Sequence, residues 1–276
     1  MSTQTQRADR FLALHRQARP LLLPNPWDPG TARILASLGF DALATTSSGH
    51  AATSGRLDGS VTREEAIGHA AAIVAATELP VSADLENCFA DDPDGVAQTI
   101  RLALAAGLAG CSIEDHTRRD EAPIYELPRA VERVVAAAEV AHGGAVHLVL
   151  TARAENYLHG RPDLADTIAR LQAYQEAGAD VLYAPGLSSL EDIRQLVSSV
   201  DRPVNVLAFP GVPPVATLAE IGVSRVSVGG AFAFAAIAGL VEAASELRSD
   251  GTYAFLERAA VGSRSARTAF QRLSPG

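Results

Sequence analysis

A chain of 276 residues, 47% apolar and 20% charged, can bury a large core, is not a disordered chain, and fits one α/β barrel or two small domains. A net charge of −9 argues against nucleic acid or an anionic membrane surface as a partner. The sequence holds no lysine at all, which excludes Schiff-base aldolase chemistry, lysine-anchored pyridoxal phosphate and Walker-type phosphate loops. Its two cysteines, Cys88 and Cys111, form no framework and no metal-ligand spacing, as expected of reduced thiols in a cytoplasmic protein. Met1 to Arg10 is polar and lacks the apolar core of a signal peptide, and Val226 to Val241 is too interrupted for a membrane span.

Apolar β-prone runs alternate with amphipathic stretches almost throughout. Leu21-Leu22-Leu23 leads to Asn25 and Trp27, then a helix runs from about Gly30 to Leu38. A strand over Asp41 to Thr46 is followed by a helix from Thr62 to Ala76, where Thr62 and Glu65 are spaced as a capping box. Strands are expected at Leu79 to Glu86, Ala109 to Glu114 and Val146 to Arg153, with helices at Asp94 to Ala106, Leu127 to Ala141 and Leu164 to Ala177. Strands at Val181 to Ala184, Val204 to Ala208 and Arg225 to Val228 alternate with helices at Leu190 to Val197, Val215 to Glu220 and Phe232 to Leu247. Eight β/α units without a composition break predict a single (β/α)8 TIM barrel over residues 1–276. A further helix, Tyr253 to Leu273, either covers the barrel or packs on a neighbouring subunit.

Active sites of this fold lie at the C-terminal strand ends. There the chain places Asn25, Trp27, Ser47-Ser48-Gly49-His50, Asp84, Glu86, Glu114, Arg153, Glu155, Asn205 and Gly229-Gly230, while strand interiors are Val, Leu, Ile and Ala. Asp84 and Glu86 alternate, so period two sends them to the same side. A second acidic pair, Glu114-Asp115, ends the next strand. Carboxylates converging from successive strand ends suit a hard, oxygen-liganded cation such as Mg²⁺; capping of the following helices plus solvated loop charge is the alternative.

In order and spacing these segments resemble the isocitrate lyase/phosphoenolpyruvate mutase superfamily. Ser47-Ser48-Gly49 with Asp58, Asp84-Leu85-Glu86, Glu114-Asp115, Thr151-Ala152-Arg153, Glu176-Ala177-Gly178-Ala179-Asp180 and Pro203-Val204-Asn205-Val206 carry the likeness. It implies an Mg²⁺-dependent barrel (Mn²⁺ in its place) acting on a small 2-oxo or 2-hydroxy acid through an enolate. Asp84 would contact the metal, with Glu86, Glu114 and Asp58 completing its shell. Ser47, Ser48, Gly49, Trp27, Arg153 and Asn205 would bind the anionic carboxylic-acid substrate, with Arg153 as bidentate clamp. The likeness also implies a homo-oligomer, dimer or tetramer, with helix exchange between barrels.

The loop after the fourth strand departs from the family. It reads His116-Thr117-Arg118-Arg119-Asp120-Glu121-Ala122-Pro123, without the cysteine of the lyases or the lysine and asparagine of the phosphonomutases. Asn87-Cys88-Phe89-Ala90 replaces two glycines common after the acidic motif, so a different local backbone is expected there, with Cys88 as a packing residue. His116 and His50 remain candidate acids or bases, with Tyr157 and His159 behind them. His116 to Tyr125, a long polar connection, is either a gate over the site or a solvated loop. Decarboxylation of an oxaloacetate-like acid fits best, since it needs no loop cysteine. Phosphonopyruvate-type P–C chemistry is the alternative within the superfamily, and a non-catalytic metabolite-binding barrel the alternative outside enzymes.

Overall fold

Eight short strands run parallel around an axis in the computed structural model, which describes residues 2–271. The order is α1 (Gln4–Leu14), β1 (Leu21–Leu23), α2 (Pro29–Ser37), β2 (Leu43–Ala44), α3 (Ser47–Thr53), α4 (Arg63–Ala76), β3 (Val81–Asp84) and α5 (Pro93–Ala105). Next come β4 (Gly110–Glu114), α6 (Leu127–His142), β5 (Val149–Arg153), α7 (Leu164–Glu176), β6 (Val181–Tyr183) and α8 (Leu190–Ser198). The last are β7 (Val204–Leu207), α9 (Val215–Glu220), β8 (Arg225–Ser227), α10 (Ala231–Ser249) and α11 (Phe255–Gln271). The ladder runs β1-β8-β7-β6-β5-β4-β3-β2, and between β1 and β2 the Ala44 N–H donates to the Pro24 carbonyl at 3.1 Å. The expected (β/α)8 barrel is the architecture found.

Local chemistry sets the helix starts. Thr62 and Glu65 form the expected capping box of α4, and Asp28, Asp92 and Asp163 cap α2, α5 and α7 through their side chains. One register line descends the barrel wall through Glu114, Arg153, Tyr183, Asn205 and Arg225, each paired with the next across adjacent strands. All five line the central cavity, so polar side chains run from the mouth toward the floor. The cores of Val, Ile, Leu and Ala lie between strands and helices.

Three elements differ from expectation. The N-terminal segment is α1, whose Ala8, Phe11 and Leu14 are buried against β-strand residues Leu21, Val149 and Val181. A Cβ on Gly110 would lie 2.7 Å from the Phe11 ring, so glycine is needed at that contact. Ser47-Ser48-Gly49, expected at a strand end, opens the short helix α3. The expected strand Asp41 to Thr46 shrinks to the two residues of β2. The helix expected from Tyr253 to Leu273 is α11, beginning at Phe255; Leu273 lies outside the described residues. The end of α11 packs on α2, where Ala269 is buried. Only Ala233 of α10 is buried, and Phe234, Ile237, Leu240 and Val241 are exposed, as are Tyr253, Leu256 and Val261. No helix among the described residues is long and apolar enough to cross a membrane.

Candidate active site

The mouth is framed by β3, β4 and β5, which end on Asp84, Glu114 and Arg153. Thr45 Oγ1 accepts the Asp84 N–H at 2.9 Å, and the Ser47 N–H, at the start of α3, donates to Asp84 Oδ2 at 3.2 Å, so the segment after β2 holds both the backbone and the carboxylate of Asp84. Arg153 is the hub. Its Nη1 lies 3.2 Å from Asp84 Oδ1 and 2.8 Å from Glu114 Oε1, and its Nε donates to Glu155 Oε1 at 2.7 Å. Among the described residues no hydrogen bond or ion pair uses Arg153 Nη2. Burial pushes the Glu114 and Glu155 carboxyls up, with Arg153 opposing it in both. Burial alone would lower Arg153, but Glu114, Glu155 and Asp84 reverse this and hold it well above the arginine value.

Glu86 follows β3 in a left-handed turn. Its φ is 48°, and Cys88 and Phe89, within the stretch Asn87 to Ala90 that replaces two glycines, have φ of 59° and 56°. The backbone thus takes a glycine-type conformation without glycine, at about 1–2 kcal/mol per residue. Arg133 of α6 holds the turn: its guanidinium, fully buried, donates to the carbonyls of Asn87, Ala90 and Glu114. Glu86 Oε2 accepts from Arg118 Nη2, while Oε1 is buried with no hydrogen-bond partner. Burial pushes this carboxyl up to about 7, against the pull of Arg118. The neighbouring Cys88 thiol is pushed up to about 12 by burial, which leaves it inert packing.

These groups surround a cavity of about 390 Å³ with Asp58 at its exposed rim. His116 and His159 stack over it at 3.8 Å. Burial, then the neighbouring His159, lowers His116 to about 4, so near neutral pH it is an uncharged imidazole that can accept or donate a hydrogen bond. The segment after β4 is a tight hairpin: His116 bridges Ile124, the Thr117 N–H donates to the Pro123 carbonyl at 2.8 Å, and Arg118 reaches into the cavity wall. Asp84, Glu86, Glu114 and Asp58 offer the carboxylate oxygens that a hard divalent cation takes.

The family profile for phosphoenolpyruvate phosphomutase matches residues 11–248. The chain belongs to that family, within the isocitrate lyase/phosphoenolpyruvate mutase superfamily. A lyase/mutase candidate from Burkholderia cenocepacia J2315 is similar over 99% of this chain and 97% of its own, at 50% identity and a TM-score of 0.94. A 2,3-dimethylmalate lyase structure is 27% identical with a TM-score of 0.82, covering 92% of this chain and 90% of that one. The oxaloacetate decarboxylase of Chromohalobacter salexigens is 28% identical over 90% of this chain and 88% of its own.

Within this phosphomutase-family barrel, Asp84, Glu86, Glu114, Asp58, Arg153, His116, Ser47, Ser48 and Asn205 come together around one cavity. Trp27 and Gly49 do not line it. Both are packing residues: a Cβ on Gly49 would meet Thr46 Cγ2 at 2.6 Å and the Trp27 Cβ at 3.3 Å. His50 also lies off the cavity, stacked on His69 at 3.8 Å. Asp115 faces away from Glu114, as period two requires, and accepts from Tyr174 Oη at 2.6 Å and Arg170 Nη1 at 3.3 Å. Asn205 is deep and engaged, donating to Ser227 Oγ and accepting from Arg225 Nε, both at 2.9 Å. Glu155, two residues past Arg153 at the same strand end, is the ion-pair partner that this spacing suggests. For Arg133 and Arg225 no local pattern existed.

Proposed function

We propose that the chain is an Mg²⁺-dependent lyase of a small 2-oxo or 2-hydroxy carboxylic acid, breaking a C–C bond or decarboxylating through an enolate, with an oxaloacetate-like acid favoured. The observation that carries this reading is Glu86 Oε1, a buried carboxylate oxygen without a partner on a cavity shared with Asp84, Glu114 and Asp58. Those four residues would hold the metal, directly or through waters, with Mn²⁺ able to replace Mg²⁺. Bound there, the ion would supply a Lewis acid for the 2-oxo oxygen and the negative charge that develops on it.

The chain's own groups do the rest. Arg153, oriented by Asp84, Glu114 and Glu155, keeps Nη2 for a substrate carboxylate. Ser47 and Ser48 add polar groups from the start of α3. The uncharged His116–His159 pair and the Arg118 hairpin exclude water from the mouth and offer hydrogen bonds to the substrate's distal end. Decarboxylation suits a loop that has neither the lyase cysteine nor the mutase lysine, and the similarity to an oxaloacetate decarboxylase supports it. The protein would act as one domain, in the cytoplasm, where the free Cys88 and Cys111 stay reduced, and as a homo-oligomer.

A screen with Mg²⁺ across 2-oxo diacids, 2-hydroxy di- and triacids and phosphonopyruvate tests the reading. Pyruvate release from oxaloacetate well above the rate with Mg²⁺ alone is expected. Turnover of phosphonopyruvate instead would establish the P–C alternative, for which the family match speaks. Tight oxalate binding without turnover of any acid would make the chain a binding barrel.

A further inference from the structure

Six of the seven histidines lie in three stacked pairs, and one pair sits far from the mouth. His142 closes α6, His147 precedes β5, and Asp180 immediately precedes β6. All three therefore lie at the N-terminal ends of the strands, and none lines the cavity. His142 Nε2 is 3.0 Å from Asp180 Oδ2 and His147 Nε2 is 3.0 Å from Oδ1, with all three donor atoms within 4.8 Å of one another. A tetrahedral site with bonds of about 2.0–2.1 Å has donor–donor edges of about 3.3 Å. Both His–Asp separations are already near that edge.

The surroundings match a built site. The Asp180 side chain is only 10% exposed, and the Leu150 N–H donates to its Oδ2 at 2.9 Å, the kind of outer contact that orients a ligating carboxylate. Its own N–H is tied to the Leu150 carbonyl at 2.9 Å, so the carboxylate stands on rigid strand ends. The imidazoles are more open, with side chains 27% and 37% exposed, which leaves a solvent-facing side for entry and for a water ligand. The rings stack at 4.1 Å and 6°, so one must turn before both lone pairs meet at a point. His147 can do so readily, since Gly143-Gly144-Ala145-Val146 separates it from α6.

We propose that His142, His147 and Asp180 form a second cation site, for a borderline divalent transition metal such as Zn²⁺ or Co²⁺, completed by water and distinct from the oxygen-rich site at the mouth. Two imidazoles and one carboxylate select against Mg²⁺ and for these ions. Placed at the floor, the ion ties the α6–β5 loop to β6 and does not touch substrate. Each histidine ligates through Nε2 as its Nδ1–H tautomer, so the hydrogen bonds now made to Asp180 give way to metal bonds.

The test titrates the full chain with Co²⁺ in excess Mg²⁺, following visible d–d absorbance and equilibrium dialysis. Wild type and His116→Ala should each bind one Co²⁺ equivalent under these conditions, and His147→Ala and His142→Gln should bind it at least about tenfold more weakly while keeping the wild-type circular dichroism. Zn²⁺ should raise the melting temperature of wild type and not of His147→Ala. Absence of that equivalent in wild type overturns the proposal, as does its survival in His147→Ala or its loss in His116→Ala, which would place the ion at the mouth.

Discussion

Replacing Glu86 with Gln isolates the cost of holding a charge in the turn after β3. The carboxyl titrates at about 7 in the folded chain against an ordinary 4.5, chiefly through burial, with Arg118 opposing. A folded state that grips the proton more tightly than the unfolded chain has this contribution in full below 4.5 and loses it as the pH rises through 7. Across that gap, at about 1.36 kcal/mol per pH unit, the loss amounts to about 3 kcal/mol. Glutamine imitates the protonated carboxyl and never ionises, and it meets Arg118 much as the neutral acid does. In metal-free buffer, Glu86→Gln should therefore gain about 3 kcal/mol on wild type between pH 4 and pH 8, read as urea midpoints at constant slope. In melting temperature this corresponds to roughly 6–12 °C for a domain of this size. Saturating Mg²⁺ at pH 8 should reverse the order, stabilising wild type and leaving the glutamine variant behind. A stability difference that stays flat from pH 4 to pH 8 would refute the reasoning.

Asp84→Ala should abolish Mg²⁺ binding by calorimetry while far-ultraviolet circular dichroism stays unchanged; an unaltered titration would remove Asp84 from the metal shell. The double variant Arg118→Ala and Arg119→Ala should lose at least about tenfold in turnover with Mg²⁺ affinity maintained or raised, because Arg118 competes for Glu86 Oε2. Wild-type kinetics would reduce the hairpin to a solvated loop. The exposed apolar side chains of α10 and α11, from Phe234 to Val261, should be covered in an oligomer, and light scattering at micromolar concentration should return a dimer or tetramer. A monomer with the helices intact would contradict this.

Much of the barrel is visible in the chain because its signals are local. Caps such as Thr62 with Glu65, and strand-end carboxylates separated by a period of two, need only near neighbours to be interpreted. What escaped depends on distant packing. The α1 segment carries Ala8, Phe11 and Leu14 at helical spacing, yet its polar majority conceals a stripe that matters only once a barrel floor exists to receive it. β2 pairs over two residues where the run from Asp41 to Thr46 suggested six. At the site, Trp27 and Gly49 share the strand-end position of true lining residues, and only the third dimension shows Gly49 of α3 packed against Trp27. Arg133 reaches three carbonyls from another helix, and no window along the sequence joins those points.

The join between β1 and β2 is where the cylinder depends on chemistry that can be changed one codon at a time. Elsewhere the staves are laced by peptide groups, which every residue but proline supplies alike. Here the bond from the Ala44 N–H to the Pro24 carbonyl is joined by the Asn25 side chain: its Nδ2 donates to the Thr45 carbonyl at 2.9 Å, and its Oδ1 receives the N–H groups of Val228 and Gly229 at 3.0 and 2.9 Å. The rim's compliance is thus an inherited variable set by one amide. A leucine or serine there would loosen the hoop beside Ser47 while leaving the ladder that seats Arg153 taut, so accommodation of a bulkier acid can drift without rebuilding the charged half of the mouth.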